Sequence, residues 1–357
     1  MAPVTQALAN DSRFEHRVCV TAQHREMLDQ VLELFNIVPD YDLNLMKPGQ
    51  DLARLTSSLI SNLMPIMEEY RPDLVLVHGD TTTTLAASLT AFYAGVSVGH
   101  VEAGLRTGNI YAPWPEEVNR RIASVVTRFH FAPTVAAQRN LLRENIDEKF
   151  IHVTGNTVVD ALLSVIARLK SDEEMHAKVE KEFKFLPIQR KLILVTGHRR
   201  ENFGDGFENI CKAIQELATQ NKKYHFVYPV HLNPNVKEPV NRLIGGLDNV
   251  SLIDPLSYLP FCYLMNRSAL ILTDSGGIQE EAPSLGKPVL LMRETTERPE
   301  AVASGSVKLV GTDPERIVNM VISELEKNDS KDLTNVVNPY GDGKAALRIV
   351  NYLAEML

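Results

Sequence analysis

Short apolar runs alternate along this chain with longer polar stretches of helical period. Leu74–Val77 is an apolar run entered through Arg71-Pro72-Asp73 and left at Gly79, the pattern of a buried strand that breaks into a tight loop. Leu85–Phe92 then has helix-forming composition, with Asp80 or one of the following threonines as its N-cap, and Val96–Val101 reads as a second strand. Upstream, Met1–Asn10 and Gln23–Phe35 are helical in pattern, Arg17–Thr21 is strand-like, and Leu52–Glu69 is a strongly amphipathic helix. Downstream, strand-like Phe129–Ala132 and Ile151–Val153 flank a helix at Val135–Asn145.

The alternation then restarts. Val158–Lys170 and Phe207–Ala218 read as helices, whereas Asp172–Lys181 is charged and surface-like. Strands are expected at Leu192–Thr196, Tyr224–Val230, Val250–Ile253, Ala269–Thr273, Pro288–Leu291 and Val307–Leu309. A last helix, Lys344–Met356, follows the turn Asn338–Gly343. Strands alternating with helices predict α/β architecture with parallel sheets covered on both faces. A boundary near Gly155 divides residues 1–155 from 156–343, with a ligand cleft expected between the halves.

Composition narrows the classes. Hydrophobic content of 44% and charged content of 23% are ordinary for a globular protein, and a length of 357 residues accommodates two domains. A formal net charge of −8 argues against a nucleic-acid partner. No window reaches the ~18 apolar residues of a membrane span, and the opening residues do not read as a signal peptide. Cys19, Cys211 and Cys262 are scattered in apolar surroundings, so buried thiols in a reducing cytoplasm are expected. No CxxC, HExxH or EF-hand spacing is present, which leaves a dedicated metal site without support.

Candidate chemistry gathers at the expected strand ends, where open parallel sheets bind their ligands. Asp80, Glu102 and Glu116 form an acidic set suited to general acid–base work, although each also reads as an ordinary loop acid. In Leu270–Glu281, a strand gives way to Asp274-Ser275-Gly276-Gly277 and a helix start, a junction whose bare N–H groups suit an anion. It is neither a Walker sequence nor GxGxxG, which disfavours a dinucleotide. Glu281, about one turn into that helix, is placed to accept ribose hydroxyls, the alternative being a surface acid. His198 reads as a proton donor, a phosphate partner or a structural residue, and Arg298 as an anion clamp or a solvated side chain. From their own surroundings, His100 and His231 read as structural.

Taken together, HGDTTTT, HVEAGLRTG, PWPEEVNR, TGHRREN, YPVHLNP and TDSGGIQEEAPSLGKPVLLMRETTERPEA resemble the bacterial non-hydrolysing UDP-N-acetylglucosamine 2-epimerases over essentially the whole chain. The resemblance implies a GT-B-like fold, two Rossmann-like domains with an interdomain cleft and a C-terminal helix, 344–357, packing back on the first. It implies interconversion of UDP-GlcNAc and UDP-ManNAc without NAD, metal or other cofactor, in a cytoplasmic homodimer. On matching positions, Asp80, Glu102, Glu116 and His198 become catalytic. Ser275, Gly276 and Gly277 hold the diphosphate, Glu281 the ribose, and Arg298 and Phe261 other parts of the UDP-sugar. Gln23, Arg199 and His231 fall in segments that bind a second, regulatory UDP-GlcNAc. Leu256 stands where family members can carry a Gln near the uridine.

The family's reaction eliminates UDP across C1–C2 to give 2-acetamidoglucal, then re-adds it with C2 inverted. A base at C2, an acid on the opposite face and stabilisation of the departing diphosphate are all needed. Which of the three acids takes which role is open at this level. The alternatives are a hydrolysing epimerase, a GT-B glycosyltransferase and an inactive nucleotide-sugar binder. Family members also open on an apolar strand and a Gly-Thr-Arg-Pro-Glu loop, whereas this chain opens on a helix. A chain lacking that strand is expected to bind UDP-sugar weakly and turn over poorly.

Overall fold

In the computed structural model, which describes residues 1–22, 25–45, 49–328 and 338–357, the apolar runs pair into parallel ladders. The described chain packs as two units, Met1–Ala161 with Tyr340–Leu357, and Leu162–Pro339.

In the first unit, β1 (Cys19–Val20) and β2 (Tyr41–Asp42) form a separate two-stranded ladder. A four-stranded sheet follows in the order β3 (Leu74–His78), β4 (Ser97–Val101), β5 (Phe129–Ala132), β6 (Ile151–Val153). Both faces are covered, so alternate side chains enter different cores. Val77 and Val98 pack with Leu63, Ala87 and Ala91 from the helices Leu52–Tyr70 and Thr82–Tyr93. Val101, Phe129 and Phe131 pack instead with Val4, Ile349 and Leu353 from the first helix, Ala2–Ala9, and the last, Ala345–Met356. Asp160 fastens the last helix, its carboxylate accepting from the backbone N–H groups of Ala345 (3.2 Å) and Ala346 (2.8 Å). Gly99 is closely packed: a Cβ there would sit 2.6 Å from Leu76 Cδ2 and 3.4 Å from Phe131 Cε2, so the Leu76 side chain would have to shift.

The second unit holds a six-stranded sheet of β7 (Lys191–Thr196), β8 (Tyr224–Pro229), β9 (Val250–Ile253), β10 (Leu270–Thr273), β11 (Val289–Leu291) and β12 (Val307–Leu309). Its spatial order is β12-β11-β10-β7-β8-β9. The chain winds outward from β7 to β9, returns to β10 beside β7, and winds outward the other way. The adjacent carboxyl ends of β7 and β10 are therefore a topological switch point, where doubly wound sheets take their ligands. Thr196 and Thr273, the last residues of these strands, share a hydroxyl hydrogen bond of 2.7 Å.

One expectation needs correction and one is extended. The charged segment Asp172–Lys181 lies largely at the surface, as expected, and forms the helix Glu173–Glu182, which buries Val179 and is capped by Asp172 through Met175 N. Cys19 is exposed, because it lies in the short β1–β2 ladder rather than in a covered sheet, while Cys211 and Cys262 are buried as expected.

Candidate active site

In the first unit, the loops after β3 and β4 lie side by side, with His78 in register with Val101. The turn at Asp80 is held at each neighbouring carbonyl. Thr84 Oγ1 donates to His78 C=O (2.6 Å), His100 Nε2 to Gly79 C=O (2.7 Å) and Asn119 Nδ2 to Asp80 C=O (2.9 Å). A carbonyl only accepts, so the His100 proton is on Nε2. Burial keeps that ring neutral, pushing its pKa down to about 4. Thr81 caps the following helix, accepting from Thr84 N. Arg120 places Nη2 at 2.6 Å and Nε at 3.0 Å from Asp80 Oδ2.

Glu102 follows β4 with φ of +67°, a left-handed conformation that a residue with a Cβ rarely adopts and that is common at functional sites. Its Oε2 accepts from Asn156 Nδ2 (3.1 Å) and lies 3.9 Å from His78 Nε2. A Cβ on Gly79 would lie 3.6 Å from Glu102 Oε1, so the Asp80 and Glu102 loops touch. Glu116 begins the helix Glu116–Val126, and its enclosed Oε2 meets no hydrogen-bond donor among the described residues.

The reading of the residues missed Glu117. Its side chain is fully buried and accepts from Thr107 N, Gly108 N, Arg120 Nη1 and Arg121 Nε at 3.0–3.3 Å. Burial alone favours the neutral acid, but these donors outweigh it and hold the carboxyl below its ordinary range. Glu117 thereby joins Arg120, and so Asp80, to the Thr107–Gly108 loop. Arginines three and four residues after Glu117 were the available signal.

In the second unit, the switch point carries two loops. After β10, Ser275 N donates to Thr273 Oγ1 (2.9 Å), and Gly277 begins the short helix Ile278–Glu281. Two guanidiniums converge on Gly276: a Cβ there would stand 2.7 Å from Arg298 Nη1 and 3.3 Å from Arg199 Nη2. Arg298 is steered by an ion pair with buried Glu280, and Thr296 accepts from its backbone N–H. Arg199 Nε is enclosed without a hydrogen-bond partner among the described residues. A small glycine turn under two cations is built for an anion.

After β7, the half-exposed His198 ring stacks on His231 at 5.7 Å, with Nδ1 3.7 Å from Asp274 Oδ1. Burial pushes its pKa down, and nearby Arg199 and His231 push the same way against Asp274. Exposed His231 thus meets His198 rather than serving a buried structural role. Glu281 is 7% exposed and accepts from Tyr258 Oη (3.0 Å); burial raises its pKa to about 7. Phe261 lies in the helix Tyr258–Arg267, three residues after Tyr258, and Leu256 precedes that helix. Gln23 lies outside the described residues. Among the described residues no cluster of three His, Cys, Asp or Glu is placed to hold a metal ion, and no helix is long and apolar enough to cross a membrane.

A family model described as UDP-N-acetylglucosamine 2-epimerase matches residues 6–354. The chain belongs to the UDP-N-acetylglucosamine 2-epimerase family. It is 58% identical to the UDP-N-acetylglucosamine 2-epimerase of Salmonella typhimurium over 99% of this chain and 94% of that protein. The Escherichia coli K12 protein of the same name is 59% identical with the same coverage. A crystal structure of the Neisseria meningitidis UDP-GlcNAc 2-epimerase bound to UDP-GlcNAc superposes with a TM-score of 0.89 at 53% identity, covering 99% of this chain and 96% of that one. The Methanocaldococcus jannaschii UDP-GlcNAc 2-epimerase, in complex with UDP-GlcNAc and UDP, gives 0.79 at 33% identity over 99% and 95%. The fold of this epimerase-family chain is GT-B-like, with two Rossmann-like α/β domains.

Proposed function

We propose that the chain interconverts UDP-GlcNAc and UDP-ManNAc by eliminating and re-adding UDP. The observation that carries this reading is the Gly276 turn under Arg199 and Arg298 at the switch point, in a family one of whose members is crystallised with UDP-GlcNAc. Ser275, Gly276 and Gly277 receive the diphosphate, Arg298 neutralises it, Glu281 accepts ribose hydroxyls and Phe261 packs on another part of the UDP-sugar. Asp80, Glu102 and Glu116 act on the sugar. One carboxylate takes the C2 proton as the C1–O bond to UDP breaks, leaving 2-acetamidoglucal and UDP. A carboxylic acid on the other face returns a proton to C2 while the diphosphate oxygen re-forms the bond to C1. His198 meets charge on the departing diphosphate.

Asp80 is the acid most firmly held, through Arg120. Glu116 differs in that its enclosed Oε2 has no hydrogen-bond donor among the described residues. The protein is further proposed to act as a cytoplasmic homodimer. Exposed Phe92, Tyr93, Ile122 and Val125 on the packed helices Thr82–Tyr93 and Glu116–Val126 support self-association. Regulation by a second UDP-GlcNAc through Gln23, Arg199 and His231 is part of the same proposal. The test is to incubate the protein with UDP-GlcNAc and separate the products. UDP-ManNAc supports the reading; free ManNAc plus UDP supports a hydrolase, and binding without turnover a sensor.

A further inference from the structure

Asp274 is fully buried, and no lysine or arginine side chain pairs with it among the described residues. Its charge is met instead by the backbone. His198 N donates to Oδ1 and Oδ2 at 3.2 and 3.0 Å, and Arg199 N to Oδ2 at 2.9 Å. Asn202 Nδ2 adds a bond of 3.2 Å while also donating to Met292 C=O. One carboxylate on the β10 loop thus pins two consecutive residues of the β7 loop, and those residues carry His198 and Arg199. The same carboxylate faces His198 Nδ1 at 3.7 Å, too far for a hydrogen bond but close enough for its field to favour a proton on that nitrogen.

From this arrangement we infer that Asp274 is a positioning residue, fixing the His198 tautomer and the origin of both the His198 and Arg199 side chains. It touches no substrate in this scheme and acts through the two residues it holds. With Nδ1 carrying the neutral ring's proton, Nε2 is the nitrogen that gains and loses the second proton, and in the charged ring its N–H is the donor that meets the nucleotide. The assignment of His198 to the leaving diphosphate rests on the function proposed above; the geometry around Asp274 does not.

The test is NMR on protein labelled with ¹⁵N-histidine, the His198 signal being assigned from its absence in His198→Gln. In the wild type without nucleotide, the neutral ring is expected to carry its proton on Nδ1. In Asp274→Asn, the group that favours the charged ring is lost while Arg199 and His231 remain, so His198 is expected to titrate at lower pH. The alkaline limb of the kcat–pH profile, where the charged ring that meets the diphosphate is lost, should move to lower pH by the same amount, and kcat should fall about tenfold or more. A wild-type ring protonated mainly on Nε2 overturns the inference even if the variant fails to fold. An unchanged His198 titration in a folded variant overturns it as well. Absence of epimerisation in the wild type would count against the proposed reaction and leave the NMR result decisive for Asp274.

Discussion

Replacing Glu281 with Gln probes the cost of keeping an acid in the second unit's anion site. The Glu281 carboxyl is buried, and that burial raises its pKa from 4.5 to about 7; Glu280 adds to the rise, while the Tyr258 hydroxyl opposes it. Between pH 4.5 and 7 the folded protein therefore holds a proton that the unfolded chain has released. Unfolding free energy must fall as pH rises through that window. The full difference corresponds to about 3 kcal/mol at 1.36 kcal/mol per pH unit. Glu281→Gln is neutral throughout and keeps an oxygen to accept from Tyr258, so its stability lacks this decline. The variant should gain on the wild type between pH 5 and pH 8, at roughly 2–4 °C of melting temperature per kcal/mol. UDP affinity should move oppositely. It should rise in the wild type from pH 6 to 8 as the carboxylate forms, and rise less in the variant, where the nucleotide's own terminal phosphate still titrates. Thermal melts and UDP titrations across this range check both. Wild-type and variant melting curves that run parallel with pH would refute the claim that Glu281 titrates near neutrality.

Other substitutions separate chemistry from scaffold. Asp80→Asn and Glu116→Gln should each lower kcat by on the order of 10²-fold or more while UDP binding stays near wild type, as measured by coupled assay and calorimetry. Glu117→Ala removes the buried partner of Arg120 and Arg121 and should destabilise the protein by about 3–5 kcal/mol in denaturant titration. Gly99→Ala forces a methyl against Leu76 and should cost about 1–3 kcal/mol, with KM unchanged in the fraction that folds.

The strands were legible because a strand buried on both faces needs an unbroken apolar run. Leu192–Val195, Leu270–Leu272 and Val289–Leu291 are such runs, each buried throughout within the interior strands β7, β10 and β11. Helices with a thin apolar stripe were harder to see. Glu173–Glu182 buries only Val179, and Glu116–Val126 buries Glu117 and Asn119 where a pattern search looks for apolar residues. At the site, positions were easier to read than partners. Asp80, Glu102, His198 and the Ser275–Gly277 turn follow strands in sequence, so their place at strand ends could be inferred. That Arg120 binds Asp80, that Asp274 faces His198, and that Arg199 meets Gly276 depend on neighbours 40, 76 and 77 positions apart, which no local pattern encodes.

The central claim is that C2 loses its proton to the protein while UDP is detached and then re-added. UDP-GlcNAc incubated with the protein in D₂O and followed by proton NMR tests it most directly. The account predicts UDP-ManNAc with deuterium at C2, deuterium entering recovered UDP-GlcNAc, and the sugar nucleotide remaining intact at equilibrium. UDP-ManNAc that keeps its C2 proton in D₂O, or accumulation of free ManNAc and UDP in place of UDP-ManNAc, would contradict it.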